Sequence, residues 1–206
     1  MTLLALFLLV FLPQNEFSQF TFCRENARGP FESQCIGLTS EAKGEVRFKR
    51  READMVNMEL QLSPAGKDRF LAVVAATDNL ADGASYESNR KVADLGLKRL
   101  TIELPTGRRE ASFNYSTRRE VTELVTFFDN LINQETLGFD INTALQFERL
   151  SIPKRLDQIE GELRSRRIAD PHRLIPMLQK IESDQRLVNF ARTRAARLRQ
   201  QIEALK

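Results

Sequence analysis

The chain has 206 residues, of which 42% are hydrophobic and 29% charged, with a formal net charge of +3 and no tryptophan. That balance excludes a disordered or bilayer-embedded chain and leaves room for one good core or two small ones. The charge is uneven: residues 1–150 carry 18 Lys and Arg against 21 Asp and Glu, whereas 151–206 carry 13 against 7.

Leu3 to Leu12 is an unbroken apolar run. As a helix it would rise about 15 Å, about half the hydrocarbon thickness, and so cannot span a bilayer unaided. Its length matches the apolar core of a secretory signal, although no Lys or Arg precedes it and no small-residue cleavage pair follows. Residues 1–22 are therefore expected to direct export, periplasmic or extracellular; a cytoplasmic location is the alternative. Cys23 and Cys35 are the only cysteines. Exported, they are expected to form a disulfide contributing about 3 kcal/mol by loop entropy; in the cytosol they would be two idle thiols. Pro13, Gly29, Pro30, Gly37 and Gly44 punctuate residues 13–44, and 23–44 reads as an irregular linker.

Ordered structure is expected over 45–150. EVRFKR alternates Val46 and Phe48 with charge. MVNMELQLS sets Val56, Met58, Leu60 and Leu62 on one side and Asn57, Glu59 and Gln61 on the other, the pattern of a half-buried strand. Ser63-Pro64 supplies a cap and a first-turn proline for a helix with the stripe Phe70, Val73, Val74, Thr77, running to about Asp78. Residues 79–96 form a long polar connection. KRLTIEL and REASFNYS, joined by Pro105-Thr106-Gly107, predict a hairpin with Leu100, Ile102, Leu104 and Ala111, Phe113, Tyr115 inward. Thr117 to Glu120 fits a capping box ahead of a helix with stripe Val121, Leu124, Val125, Phe128, Leu131, Ile132; the pattern can continue to about Leu150, with Gly138 a weak point. The order strand, strand, helix, strand, strand, helix predicts an α+β fold, a small antiparallel sheet with helices on one face.

From 151 to 206 the chain is expected to be helical: a connecting helix with Leu156, Ile159 and Leu163, a second capped by Asp170-Pro171, and a third opened by Ser183-Asp184. The last two form a hairpin.

No sequence pattern announces a reaction. GxGxxG, GxxxxGK[ST] and GxSxG are missing, and the acids around the long connection lack the spacing of a calcium loop. His172 stands alone near a helix start and is expected to be surface decoration. No cofactor, metal or catalytic residue is assigned, and a non-enzymatic protein is expected. The tail arginines Arg186, Arg192, Arg197 and Arg199 flank an apolar stripe instead of gathering on one face, with no interleaved aromatics, so nucleic acid is not the expected partner. Another protein is; no small-molecule substrate is evident, and membrane contact is expected only in transit through the N-terminal segment. Tyr86 and Arg90 in the long connection are the candidate contacts, and an open sheet edge is a second candidate.

MELQLSPAGKDRFLAVVAATDNL, KRLTIELPTGRREASFN and a helix ending FFDNLI resemble the element pattern of emfourin-type proteins over residues 45–135. That resemblance implies an inhibitor of thermolysin-like metalloproteases, and it carries no site residues because the family's glycine-rich first strand is missing. DPHRLIPMLQKIESDQRLVNFARTRAARLRQQI is similar to one HEAT-type helical pair, which must pack on the α+β layer or on a partner. The expectation is an exported protein-binding or structural module, with protease inhibition and nucleic-acid association as alternatives.

Overall fold

The computed structural model describes residues 17–25 and 29–205. The apolar run Leu3 to Leu12 lies outside the described residues. The elements are β1 (Gln19–Glu25), β2 (Phe31–Leu38), β3 (Lys43–Arg50), β4 (Met55–Gln61), α1 (Pro64–Ala75), β5 (Leu97–Leu104), β6 (Gly107–Phe113), α2 (Arg119–Phe147), α3 (Ile152–Arg164), α4 (Ile175–Ser183) and α5 (Asn189–Glu203). The strands form one antiparallel sheet in the order β4-β3-β2-β1-β5-β6. α1 and α2 cover one face of it, and α4 and α5 pair as the expected hairpin.

Residues 23–44 are not a linker. They supply the end of β1 and all of β2, and the alternation of those two strands places Phe20, Phe22, Ile36 and Leu38 in the core, at the centre of the sheet. The glycines that suggest irregularity have other reasons. Gly29 and Pro30 precede β2, and Gly44 lies so close to the Gly37 carbonyl across the β2–β3 pair that any Cβ there would collide with it. Residues 17–22 are likewise part of the fold, with Phe17, Phe20 and Phe22 all buried.

Two cores share one helix. In the first, the Phe128 ring stacks on both Phe20 and Phe22 with centroids 5.3 Å away, and Phe70 of α1 packs edge-on against it. In the second, Leu137, Ile141 and Leu145 of α2 pack with Leu156, Leu178, Ala191 and Leu198 of the three later helices. α2 runs unbroken through Gly138 for 29 residues, a rod of about 43 Å whose two halves belong to different cores.

The helix starts differ in part from expectation. Ser63 caps α1, accepting from the Gly66 amide at 3.1 Å. Thr117 does not cap α2: the cap is Arg118, with no side-chain bond to the helix, and Glu120 turns to the Arg118 guanidinium at 2.6 Å. α5 begins at Asn189 instead of at Ser183-Asp184, because Asp184 ends α4 and its carboxylate accepts from the Arg186 amide and guanidinium. Asp170 precedes a short 3-10 turn without capping it.

Candidate functional site

Cys23 and Cys35 are direct cross-strand neighbours on β1 and β2, with Cα atoms 4.1 Å apart, and are disulfide-bonded. They lie on the sheet face away from the helices, in a row continued by Arg47 and Arg99. The bond is compatible with an exported protein; among the described residues no helix is long and apolar enough to cross a membrane.

Tyr86 is not a surface contact. It is 1% exposed, its hydroxyl donates to the Thr77 carbonyl at 3.3 Å, and the Arg118 guanidinium lies over its ring. Burial pushes its phenol up, against the opposing effects of the Thr77 bond and Arg118. Tyr86 thus anchors the long connection to the core. Arg90 is exposed on the outer half of the loop, which Asn114 fastens by accepting from the Leu95 amide and donating to the Ala93 carbonyl. Arg90 and Tyr86 therefore face different surroundings and do not converge.

Four of the tail arginines are paired with carboxylates, whereas Arg192 bonds the Gln185 and Asn189 amide oxygens. Arg194 pairs with Asp157 and Glu160, Arg197 with Glu160, Arg199 with Glu182 and Glu203, and Arg186 with Asp184. The arginine contacts hold the Glu160 carboxyl below its ordinary range, and the Arg186 bonds lower Asp184 to about 2.

An unpaired strand edge needs its backbone groups satisfied by something, so the two edges of the sheet are informative. At β6 the edge is covered: residues 78–85 pack along it, and Arg109 donates to the Asp78 and Asn79 carbonyls at 3.1 Å. Among the described residues no strand follows β4. The Leu62 amide bonds inward to the Ala42 carbonyl at 3.0 Å, whereas the Gln61 carbonyl is bonded from the other side by Arg173. In an antiparallel ladder this alternation repeats every second residue, so the backbone groups of Asn57 and Glu59 also face away from β3.

Beside that edge, α2 and α4 bound a groove of about 380 Å³. Its walls include Met58, Phe139, Pro176 and Met177, with Asn142 and Lys180 exposed beside them. Gly138 sits on the α2 wall, and a Cβ there would meet open space. Gln134, Glu135 and Arg173 also line it, and a channel of mixed lining beside outward-facing main-chain groups can hold an extended peptide, taking its backbone on the strand and alternate side chains in the groove.

Buried polar contacts fix the geometry of this groove. Asp170 is 1% exposed; its carboxylate accepts from the Ser63 amide at 2.7 Å and hydroxyl at 2.6 Å, while its backbone exchanges two 2.9 Å bonds with the Gln134 side chain. A carboxylate at the N-terminus of α1 also meets the positive end of that helix. Gly66 is the residue type required there, since a Cβ would strike the carboxylate. Arg173 forms a bidentate pair with Glu135, both bonds 2.8 Å. Burial acts to lower the Arg173 guanidinium, but the Glu135 contact outweighs it and holds it above its ordinary value. A second half-buried pair, Arg24 with Asp129 at 2.9 Å, lies under the sheet, and burial raises the Asp129 carboxyl against the pull of Arg24 and Lys98.

Sequence reading pointed to an open edge without saying which one. It missed Gly138, Phe139, Pro176 and Lys180 because nothing in the pattern places α4 beside β4; Gly138 inside a strong helical stripe was the one available signal. Among the described residues no group of three or more metal-ligating side chains converges. No protein-family model matches this chain, and no curated protein matches it in sequence.

Proposed function

We propose that this chain is a non-enzymatic protein-binding module of an oxidising, extracytoplasmic compartment, and that it takes an extended segment of its partner as a strand added to β4. The observation that carries this reading is the pairing of a strand edge that no described strand covers with a groove walled by Met58, Phe139, Pro176 and Met177, held by contacts from both halves of the molecule. The Cys23–Cys35 disulfide supports the compartment. The internal pairing of Arg186, Arg194, Arg197 and Arg199 weighs against nucleic-acid association through the tail, which needs a run of free cations to displace counterions.

Two substitutions separate binding from folding. Glu59→Pro removes an outward-facing N–H without touching the β3 ladder, and Gly138→Leu fills the groove from a position with open space. Capture of a partner from the extracytoplasmic fraction by the unaltered chain should be lost in both, with circular dichroism unchanged. A partner retained equally by both folded variants would remove the strand-addition reading. Because residues 45–135 resemble emfourin-type inhibitors, a thermolysin-like metalloprotease belongs among the partners assayed.

A further inference from the structure

The end of the helical region farthest from the start of α2 is apolar in a way that neither core explains. Phe147 and Leu150, where α2 turns into α3, are 82% and 91% exposed; Val188 and Phe190, at the start of α5, are 54% and 63% exposed. These pairs belong to one tip. Arg194 of α5 reaches Asp157 and Glu160, Arg197 reaches Glu160, and Gln201 and Ile202 border the same surface cavity as Leu163 and Arg164. Later residues of α5 therefore meet later residues of α3: the two helices run parallel, and both begin where α2 ends. Arg149 also lies near enough to Asp184 to contribute to its lowered carboxyl, placing the turn before α5 beside the α2–α3 junction.

Large side chains so exposed project from the surface; they do not line a groove that a partner's ridge could fill. Around them the charge is predominantly positive once pairs are cancelled. Arg186 is matched by Asp184, Arg155 by Glu148 and Arg194 by Asp157. Among the described residues Arg149 bonds only a backbone carbonyl and Arg192 only the Gln185 and Asn189 amide oxygens, and Lys154 is exposed on the first turn of α3. Projecting Phe and Leu with Lys and Arg behind them are complementary to a bilayer surface, apolar groups below the headgroups and cations among them.

We propose that this tip docks on an anionic lipid surface, with Phe147, Leu150, Val188 and Phe190 entering the headgroup boundary and Arg149, Lys154 and Arg192 facing lipid phosphates. The contact is distinct from the β4 groove and leaves that groove open. It also differs from passage of the N-terminal apolar run through a membrane.

The lack of tryptophan makes a site-resolved test available. Leu150→Trp in the full chain places a single fluorophore at the tip; Leu95→Trp, 49% exposed in the original side chain and near the opposite end of α2, is the control. With vesicles of phosphatidylcholine and phosphatidylglycerol in equal parts, the tip reporter should shift to shorter wavelength while the control stays at its aqueous position. Phosphatidylcholine alone should give a weaker response. Phe147→Ser combined with Phe190→Ser should weaken vesicle binding about tenfold or more, with thermal stability unchanged. The proposal is overturned if the tip reporter keeps aqueous emission on vesicle-bound protein, or if the chain does not bind these vesicles. An equal response to phosphatidylcholine alone overturns the anionic assignment. A shift that appears without lipid as protein concentration rises assigns the tip to a second copy of the chain or another protein surface.

Discussion

The sheet half and the helical half of this molecule are held together by different physics. Under the sheet the core is aromatic: Phe20, Phe22, Phe70, Phe127 and Phe128 meet ring to ring, and most charges stay on the outer face. In the helical half the core is Leu, Ile and Ala, and carboxylate–arginine pairs run between neighbouring helices. The first gains from large apolar areas and oriented rings. The second buries smaller side chains and adds surface pairs that are individually weak and sensitive to salt. α2 is the element the halves share, and Asp170 ties the helical half back to α1 and α2. The β4 groove exists only because that tie sets α4 beside the strand.

The largest effect is expected in the sheet half. Phe128→Ala removes the ring between Phe20 and Phe22 and should cost about 3–5 kcal/mol, read as a fall in the denaturant midpoint. Because α2 serves both cores, the helical half should lose its circular dichroism in the same transition. Next, replacing Cys23 and Cys35 by serine together should cost about 3 kcal/mol, the loop-entropy contribution of a short bridge. Asp170→Ala should cost about 2 kcal/mol, since it leaves the Ser63 amide and hydroxyl without their buried acceptor. Its signature is different: the two halves should begin to separate, with amide exchange in α4 and α5 rising before exchange in β1 and β5.

Acid sharpens the contrast, because one carboxyl under the sheet responds with the opposite sign. Asp184 titrates at about 2 in the fold against 3.8 unfolded, so its contribution is complete above 3.8 and is lost as pH falls toward 2. Glu160, also lowered, behaves alike from 4.5 downward. In the sheet half Glu32 and Glu41 are lowered too, by Lys49 and by Lys67, and Glu120 by its own backbone amide and by Arg118. Asp129, however, is raised by burial, so its charge opposes folding above 3.8 and acid relieves that cost. Asp184 carries the largest lowering, and among the described residues no raised carboxyl offsets it in the helical half. Amide protection should therefore fall first in α4 and α5 as the solution is acidified below about pH 4.5, and added salt should narrow the difference. Earlier loss in the sheet would reverse the comparison. The smallest effect has the opposite direction: Gly138→Ala, in a helix interior with open space ahead of the Cβ, should stabilise by about 0.5–1 kcal/mol.

How much could be read in advance follows the same division. The β3, β4, β5 and β6 strands and both sheet-covering helices were legible because each buries one face, and Met58, Leu100 or Phe128 then recur at the period of the element. β1 and β2 were hidden by signals with other meanings: Gly44 records a close approach of strands, and Phe17 to Phe22 merged by eye with the apolar run before them. Tyr86 looked like a contact because polar residues surround it, yet a phenol with one buried acceptor at Thr77 is a core residue. The groove was illegible for a further reason. Its walls come from β4, α2 and α4, and long-range ties bring them together, Asp170 to Ser63 and Gln134 and Arg173 to Glu135 and Gln61.

Scanning calorimetry of the full, oxidised chain tests most directly whether the two halves form one body. A single transition whose calorimetric enthalpy equals its van't Hoff enthalpy is predicted. Two resolved transitions, one for each core, would contradict the shared role of α2 and with it the fixed groove beside β4.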